Sequence, residues 1–166
     1  MTLREATLAD ISLIQGIARA TWPVSYADMI SPAQISYMLD LMYGTAALEA
    51  QFGPKGHRFF LVEQDGTPVG FAGFEHGHLG TQRTRLHKLY VLPQVQRTGL
   101  GSELLNAVIV EALNAESSAI ELNVNKYNRA KDFYLRHGFA VECDEVLDIG
   151  DGYVMDDHVM VRSMEV

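Results

Sequence analysis

The spacing of apolar positions changes period several times along the chain, and each change predicts an element. Residues 2–6 read as a short strand. Thr7 is placed to cap a helix, with Asp10 three residues on at its positive end, and Leu8, Ile11, Ile14 and Ile17 give that helix an apolar face. Ser31-Pro32-Ala33-Gln34 puts a capping hydroxyl, a first-turn proline and a reciprocal Gln in order for a second helix, with Ile35, Met38, Leu39 and Met42 as its stripe and Gly44 at its end. Residues 45–52 predict one more short helix, stopped by Gly53-Pro54. From there the period shortens. Residues 58–63 and 68–74 are apolar runs joined by Gln64-Asp65-Gly66, a hairpin signal, and residues 85–92 predict a further strand halted at Pro93. Residues 99–116 carry the clearest helical stripe: Leu104, Leu105, Val108, Ile109 and Ala112. A strand at 119–124 follows, then a helix at 127–137 closed by Gly138, and strands at 139–143 and 153–161.

The order is therefore strand, two or three helices, three strands, helix, strand, helix, two strands, a mixed α/β domain over residues 1–166 with no linker or repeat. At 166 residues such a chain can bury about two-thirds of its unfolded surface. The single cysteine, Cys143, excludes an intramolecular disulfide and a multi-Cys zinc site, so no metal is expected; its apolar alternating stretch predicts a buried structural thiol. The first residues show no cationic segment followed by an apolar run, and no apolar stretch nears the roughly 20 residues of a membrane span, so the expected location is cytoplasmic and no membrane partner is expected. A net charge of −8 argues against a nucleic-acid partner and suits a cationic substrate such as an amine.

The most informative segment is Val91-Leu92-Pro93-Gln94-Val95-Gln96-Arg97-Thr98-Gly99-Leu100-Gly101-Ser102. A strand ends, a loop follows, and glycines open a long helix whose first N–H groups are unpaired and partly positive. That arrangement suits a phosphate; close packing on a sheet would use the same glycines. A P-loop would need Lys and Ser or Thr after its second glycine, and the dinucleotide fingerprint would need a third glycine where Leu104 stands.

The spacing Gln96-x-x-Gly99-x-Gly101 after Leu89-Tyr90-Val91 resembles the acyl-CoA pyrophosphate motif of the GNAT superfamily, the Gcn5-related N-acetyltransferases. The later segment Leu122-Asn123-Val124-Asn125-Lys126-Tyr127-Asn128-Arg129-Ala130, continuing through Phe133-Tyr134 to Gly138-Phe139, is similar to the same family's strand, Asn-containing helix, Phe-Tyr and Gly-Phe signature. The ending from Asp148 to Met160 looks like that of a bacterial branch that includes or borders polyamine acetyltransferases, so the resemblance points to a polyamine among other amines.

The resemblance implies a mostly antiparallel sheet of six or seven strands flanked by helices, with a splayed central strand pair holding acyl-CoA. The pantetheine arm would pair with Leu89, Tyr90 and Val91, and the pyrophosphate would sit on Gln96, Arg97, Thr98, Gly99, Leu100, Gly101 and Ser102. Asn128, with Asn125 behind it, would contact the cofactor. Tyr134 matches the general acid that protonates the departing thiolate, and a Tyr of ordinary pKa near 10 carries that proton at neutral pH.

The family pattern breaks at the base. Many members place Glu where this chain has Arg85 or Asn123. His87, on the strand face of Arg85, and Glu75, at a strand end, are the substitutes; a water chain is the third option. Trp22, Tyr26, Met29, Tyr37, Met38 and Tyr43 crowd the first helices and suit a core, an acceptor pocket or a homodimer contact. The reading is an N-acetyltransferase joining acetyl-CoA to the amine of a small molecule or peptide in a ternary complex. Its alternatives are a non-catalytic acyl-CoA-binding module and a nucleotide-binding protein.

Overall fold

The computed structural model describes residues 1–164. Its elements are β1 (Thr2–Glu5), α1 (Ile11–Ser25), α2 (Pro32–Tyr43), α3 (Thr45–Phe52), β2 (Arg58–Gln64), β3 (Thr67–Glu75), β4 (Arg83–Val91), α4 (Leu100–Asn114), β5 (Ala119–Asn125), α5 (Ala130–Arg136), β6 (Ala140–Gly150) and β7 (Tyr153–Ser163). The seven strands follow the hydrogen-bonded order β1-β2-β3-β4-β5-β7-β6, the mixed α/β arrangement that the resemblance implied. Contacts group the chain into two compact units, Met1–Glu75 with Leu86–Glu111 and His76–Arg85 with Ala112–Val166.

In the first unit, β1, β2 and β3 pair antiparallel. The hairpin turn holds Asp65 at φ 53° and Gly66 at φ 78°, a two-residue turn whose positive angles match the twist of the flanking strands. Its core gathers Ile14, Trp22, Met38, Leu48, Phe59, Phe71, Phe74, Leu104 and Leu105, each at most 2 % exposed. Burying each such side chain contributes about 1.5–3 kcal/mol. The capping box at Thr7 forms as the spacing predicts: Ala9 N donates to Thr7 Oγ1 and Thr7 N to Asp10 Oδ2. It opens a single 3-10 turn before α1. That turn advances faster per residue than an α-helix, so Leu8 falls off the α1 stripe and lies exposed, while Ile11, Ile14 and Ile17 are buried. Ser31 accepts from Gln34 N at 3.1 Å and opens α2 as predicted.

In the second unit, β4 runs parallel to β5 through Arg83, Thr84 and Arg85 against Ala119, Ile120 and Glu121; β5 pairs antiparallel with β7, and β7 with β6. Ile120, Leu122, Phe139 and Met160 form its core. Two sequence expectations fail here. Cys143 is exposed, not buried, because β6 ends the strand order and its first five residues are all open to solvent. Acidic side chains along that strand (Glu142, Asp144, Glu145, Asp148) blunt the edge against further pairing. The helix expected over 127–137 is shorter, Ala130–Arg136. Asn125 Oδ1 accepts from Tyr127 N at 3.0 Å and Asn128 Oδ1 from Ala130 N at 2.9 Å, turns that compete with helix over the residues between. Gly138, at φ 86°, ends α5 as predicted, with Phe139 N donating to Tyr134 O.

Candidate active site

The first unit presents the glycine turn. After Val91 a 3-10 turn, Pro93–Val95, leads into an exposed bend over residues 96–99 and then into α4. Arg97 at φ 64° and Gly99 at φ 85° both take the left-handed conformation, which explains a glycine at 99 where open space alone would admit a side chain. Gln96 Nε2 donates to Val91 O at 3.1 Å and ties the bend back to the strand, and Glu103 N donates to Gly99 O at 3.1 Å as α4 opens. Preceding the turn, Val91 is buried and Leu89 and Tyr90 are half-buried. Gly70 lies so close to β4 that an added Cβ would stand 3.0 Å from Tyr90 O. The Tyr90 hydroxyl is 3.0 Å from that of Tyr26, with Trp22 packed between 4.7 and 5.9 Å from the rings of Tyr26, Tyr90 and Tyr43. Trp22, Tyr26, Met38 and Tyr43 are therefore core; Met29 and Tyr37 are half-buried. A groove of about 460 Å³ between α1 and α2, with Arg19 and Asp40 on its rim and Ile30, Ile35 and Leu39 in its wall, includes none of the site residues expected from the sequence.

His87 and Glu75 meet in this unit: His87 Nε2 lies 2.8 Å from Glu75 Oε1. A third group, His57, joins them, its Nε2 3.5 Å from the same oxygen and its ring stacked on that of His87 at 4.2 Å and 13°. The register explains the meeting. Arg58 pairs with Phe74, so the next pair outward is His57 with Glu75. The three side chains are 8, 18 and 20 % exposed for His57, Glu75 and His87, enough for the last two to be reached. Their donor atoms lie within 4.8 Å of one another, yet two nearly parallel imidazole planes cannot both aim lone pairs at one ion roughly 2 Å from each nitrogen, so the arrangement suits shared protons better than a shared metal.

Lys88 follows His87 and is buried. Its ammonium donates to Gln51 Oε1 at 2.7 Å and lies 5.4 and 5.7 Å from the rings of Tyr43 and Phe59. Burial, helped by the charge of Lys55, pulls its pKa down to about 7.

The second unit holds Tyr134, Asn125 and Asn128. Tyr134 is 8 % exposed and packs edge-on against Phe133 and Phe139 at 5.2 and 5.6 Å; the oxygens of both Asn side chains accept from backbone at the entry to α5. Arg85 and Asn123 join a different network. Arg85 Nη1 donates to Asn123 Oδ1 at 2.9 Å, and Asn123 Nδ2 lies 3.3 Å from both Glu145 Oε2 and Asp157 Oδ2. Asp157 is 1 % exposed, and burial pushes its carboxyl pKa above the ordinary range.

Sequence reasoning missed His57, Lys88 and Asp157. Register was the available signal for His57, but the turn alone pairs Gln64 with Thr67 and would set His57 against Phe74. A bulge between Val62 and Glu63 moves it by one residue onto Glu75.

Comparisons with known proteins give the family and the fold. The family model described as Acetyltransferase (GNAT) domain matches residues 26–151. The protein named Probable N-acetyltransferase Rv2775 of Mycobacterium tuberculosis is 25 % identical over 147 residues, 84 % of this chain and 80 % of that protein. Among solved structures, the PaiA N-acetyltransferase of Thermoplasma acidophilum in complex with coenzyme A superposes with a TM-score of 0.81 at 20 % identity, over 98 % of this chain and 99 % of that one. The ribosomal-protein-S18-alanine N-acetyltransferase of Escherichia coli does so with a TM-score of 0.74 at 18 % identity, over 99 and 94 %. Among the described residues no helix is long and apolar enough to cross a membrane.

Proposed function

The chain belongs to the GNAT family of acetyltransferases, and from that premise we propose that it moves the acetyl group of acetyl-CoA onto the amine of a small cationic molecule, a polyamine being the leading class. The observation that carries the reading is the exposed turn of residues 96–99, where left-handed Arg97 and Gly99 lead into the start of α4, whose partly positive end suits a pyrophosphate. Leu89, Tyr90 and Val91 would pair with the pantetheine arm, and Asn128 would contact the cofactor. The amine nitrogen attacks the thioester carbon, and the C–S bond breaks as the tetrahedral intermediate collapses. Tyr134 gives its phenolic proton to the thiolate, and His87, oriented by Glu75, takes the proton the amine loses. Positioning of the two reactants supplies much of the acceleration, and no covalent enzyme intermediate is needed. The net charge of −8 favours approach of a polycation.

The test is thermal unfolding with acetyl-CoA and then with a panel of amines. Acetyl-CoA at about a hundred times its dissociation constant should add roughly 2.7 kcal/mol of stability. Amines that extend the shift become assay substrates, on which Tyr134→Phe should bind acetyl-CoA normally and turn over at least ~10²-fold more slowly. A folded protein indifferent to acetyl-CoA would overturn the reading. Binding without turnover on any amine would make the chain an acyl-CoA-binding module.

A further inference from the structure

We propose that the outer face of the α1–α2 hairpin docks a second copy of this chain, with Arg19 of each copy set against Asp40 of the other. In α2, Pro32-Ala33-Gln34-Ile35-Ser36-Tyr37-Met38-Leu39-Asp40-Leu41-Met42-Tyr43, only Gln34, Ser36 and Asp40 fall outside the apolar and aromatic classes. A helix covered on one side shows an apolar stripe and a polar remainder, whereas one that is apolar around most of its circumference is covered on more than one side. Within the chain α2 buries Ile35, Met38 and Tyr43. Leu41 is left 47 % exposed, and Val24 on α1 60 %.

Between the two helices runs the groove of about 460 Å³. Arg19, Pro23 and Ala27 recur every four residues along one wall; Ile35 and Leu39, with Ser36 and Asp40 beside them, do the same along the other. Apolar walls with charges confined to the rim are the anatomy of a protein–protein contact. A furrow between helices accepts the side-chain ridge of another helix.

The rim charges identify the partner. Arg19 and Asp40 are both exposed, and neither side chain forms a hydrogen bond or ion pair with any described residue. Only residues 26–31 connect the helices, so α2 runs back along α1. Arg19 stands well before the end of α1 and Asp40 well after the start of α2, which puts both toward the open end of the hairpin. The face therefore carries one charge of each sign at the same end. A twofold axis there makes the contact isologous: each Arg19 meets the Asp40 of the other copy, and both pairs form together. Elsewhere a net charge of −8 sets copies of the chain against one another, which confines association to a face that pairs opposite charges.

The experiment is sedimentation velocity of the full chain over a wide range of concentration. The wild type should pass from monomer to dimer as concentration rises. Arg19→Glu alone and Asp40→Lys alone each bring like charges together at both contacts, and each should weaken the dimer by about tenfold or more. An equimolar mixture of the two variants should recover it, because their heterodimer has opposite charges at both contacts. Ala27→Glu, at an exposed position in the groove wall, should weaken the dimer and regain nothing on mixing with either reversal. All three positions are exposed, so circular dichroism should show the fold unchanged in each variant. A wild type that stays monomeric at every concentration overturns the proposal. So does a dimer that neither reversal weakens, or one that the mixture fails to restore.

Discussion

Two polar clusters, one in each unit, differ in the chemistry they offer. In the first unit, His57 and His87 bring two stacked imidazoles to one carboxylate oxygen of Glu75. In the second, Arg85, Asn123, Glu145 and Asp157 surround an amide. Asn123 accepts from a guanidinium and donates to two carboxylates, so every polar atom of its side chain is engaged and none of them moves a proton at neutral pH. Arg85 and Asn123 are the positions where many GNAT proteins place a catalytic Glu. Here they build a hydrogen-bonded network, while the imidazoles and their carboxylate stand in the other unit. A position that carries chemistry in one family member can carry only architecture in another, and the environment of the side chain decides which.

The largest effect expected from this contrast is on rate. His87→Gln keeps a hydrogen-bonding amide of similar reach but no basic nitrogen, and should lower kcat/KM by about 10²-fold or more with the acid limb of the pH profile lost. Steady-state kinetics from pH 5 to 9, with acetyl-CoA binding checked separately, measures it. A variant with an intact profile would break the comparison at its catalytic side.

The next effect is on stability. Lys88 is pulled down to about 7 by burial, whereas an unfolded lysine keeps its proton to about pH 10.4. Between those values the unfolded chain binds more protons, so stability should rise with pH there, by at most about 1.4 kcal/mol per unit. Below pH 7 both states are protonated and the penalty is constant. Lys88→Met removes the buried cation at the loss of one hydrogen bond to Gln51, and should raise stability at pH 7 by about 2 kcal/mol, or roughly 4–8 °C in Tm. It should also flatten the rise toward alkaline pH. Calorimetry at several pH values checks both, and a lower Tm would mean that the Lys88–Gln51 bond outweighs the cost of burial.

The fold was legible wherever a local signal was strong. The capping box at Thr7, the Ser31-Pro32 start of α2, the Asp65-Gly66 turn and the stripe of α4 all appear where the spacing puts them. The signal failed where a competing local bond or an uncovered side decided the matter: Asn125 and Asn128 shortened α5, and the edge position of β6 exposed Cys143. The glycine turn could be reached from the motif, and His87 and Glu75 from strand position as alternative bases; the structure is what joins them. His57 could not, because a single bulge in the β2–β3 pairing, where β3 carries the extra residue Val69, sets its partner. Lys88 and Asp157 were hidden for a related reason. An ionisable residue in a strand reads as solvent-facing until the elements packed on it are known.

The smallest effect tests the architectural side of the contrast. Burial raises the Asp157 carboxyl above its ordinary pKa, so the stability associated with its protonated form is present below about pH 4 and is lost as pH rises through the folded-state value. At neutral pH Asp157 is thus a net burden, offset in part by Arg85 and Asn123. Asp157→Asn can keep the Asn123 contact through its amide oxygen and puts a neutral NH2 at Oδ1, which has no hydrogen-bond partner among the described residues. It should stabilise the protein by about 1 kcal/mol at pH 7, with the gain shrinking as pH falls toward 4. The pH profile of kcat/KM should stay in place, since Asn123 and its neighbours exchange no proton in the reaction. If instead Asp157→Asn loses the acid limb that His87→Gln retains, the base belongs to the second unit, and the network around Asn123 is chemistry rather than architecture.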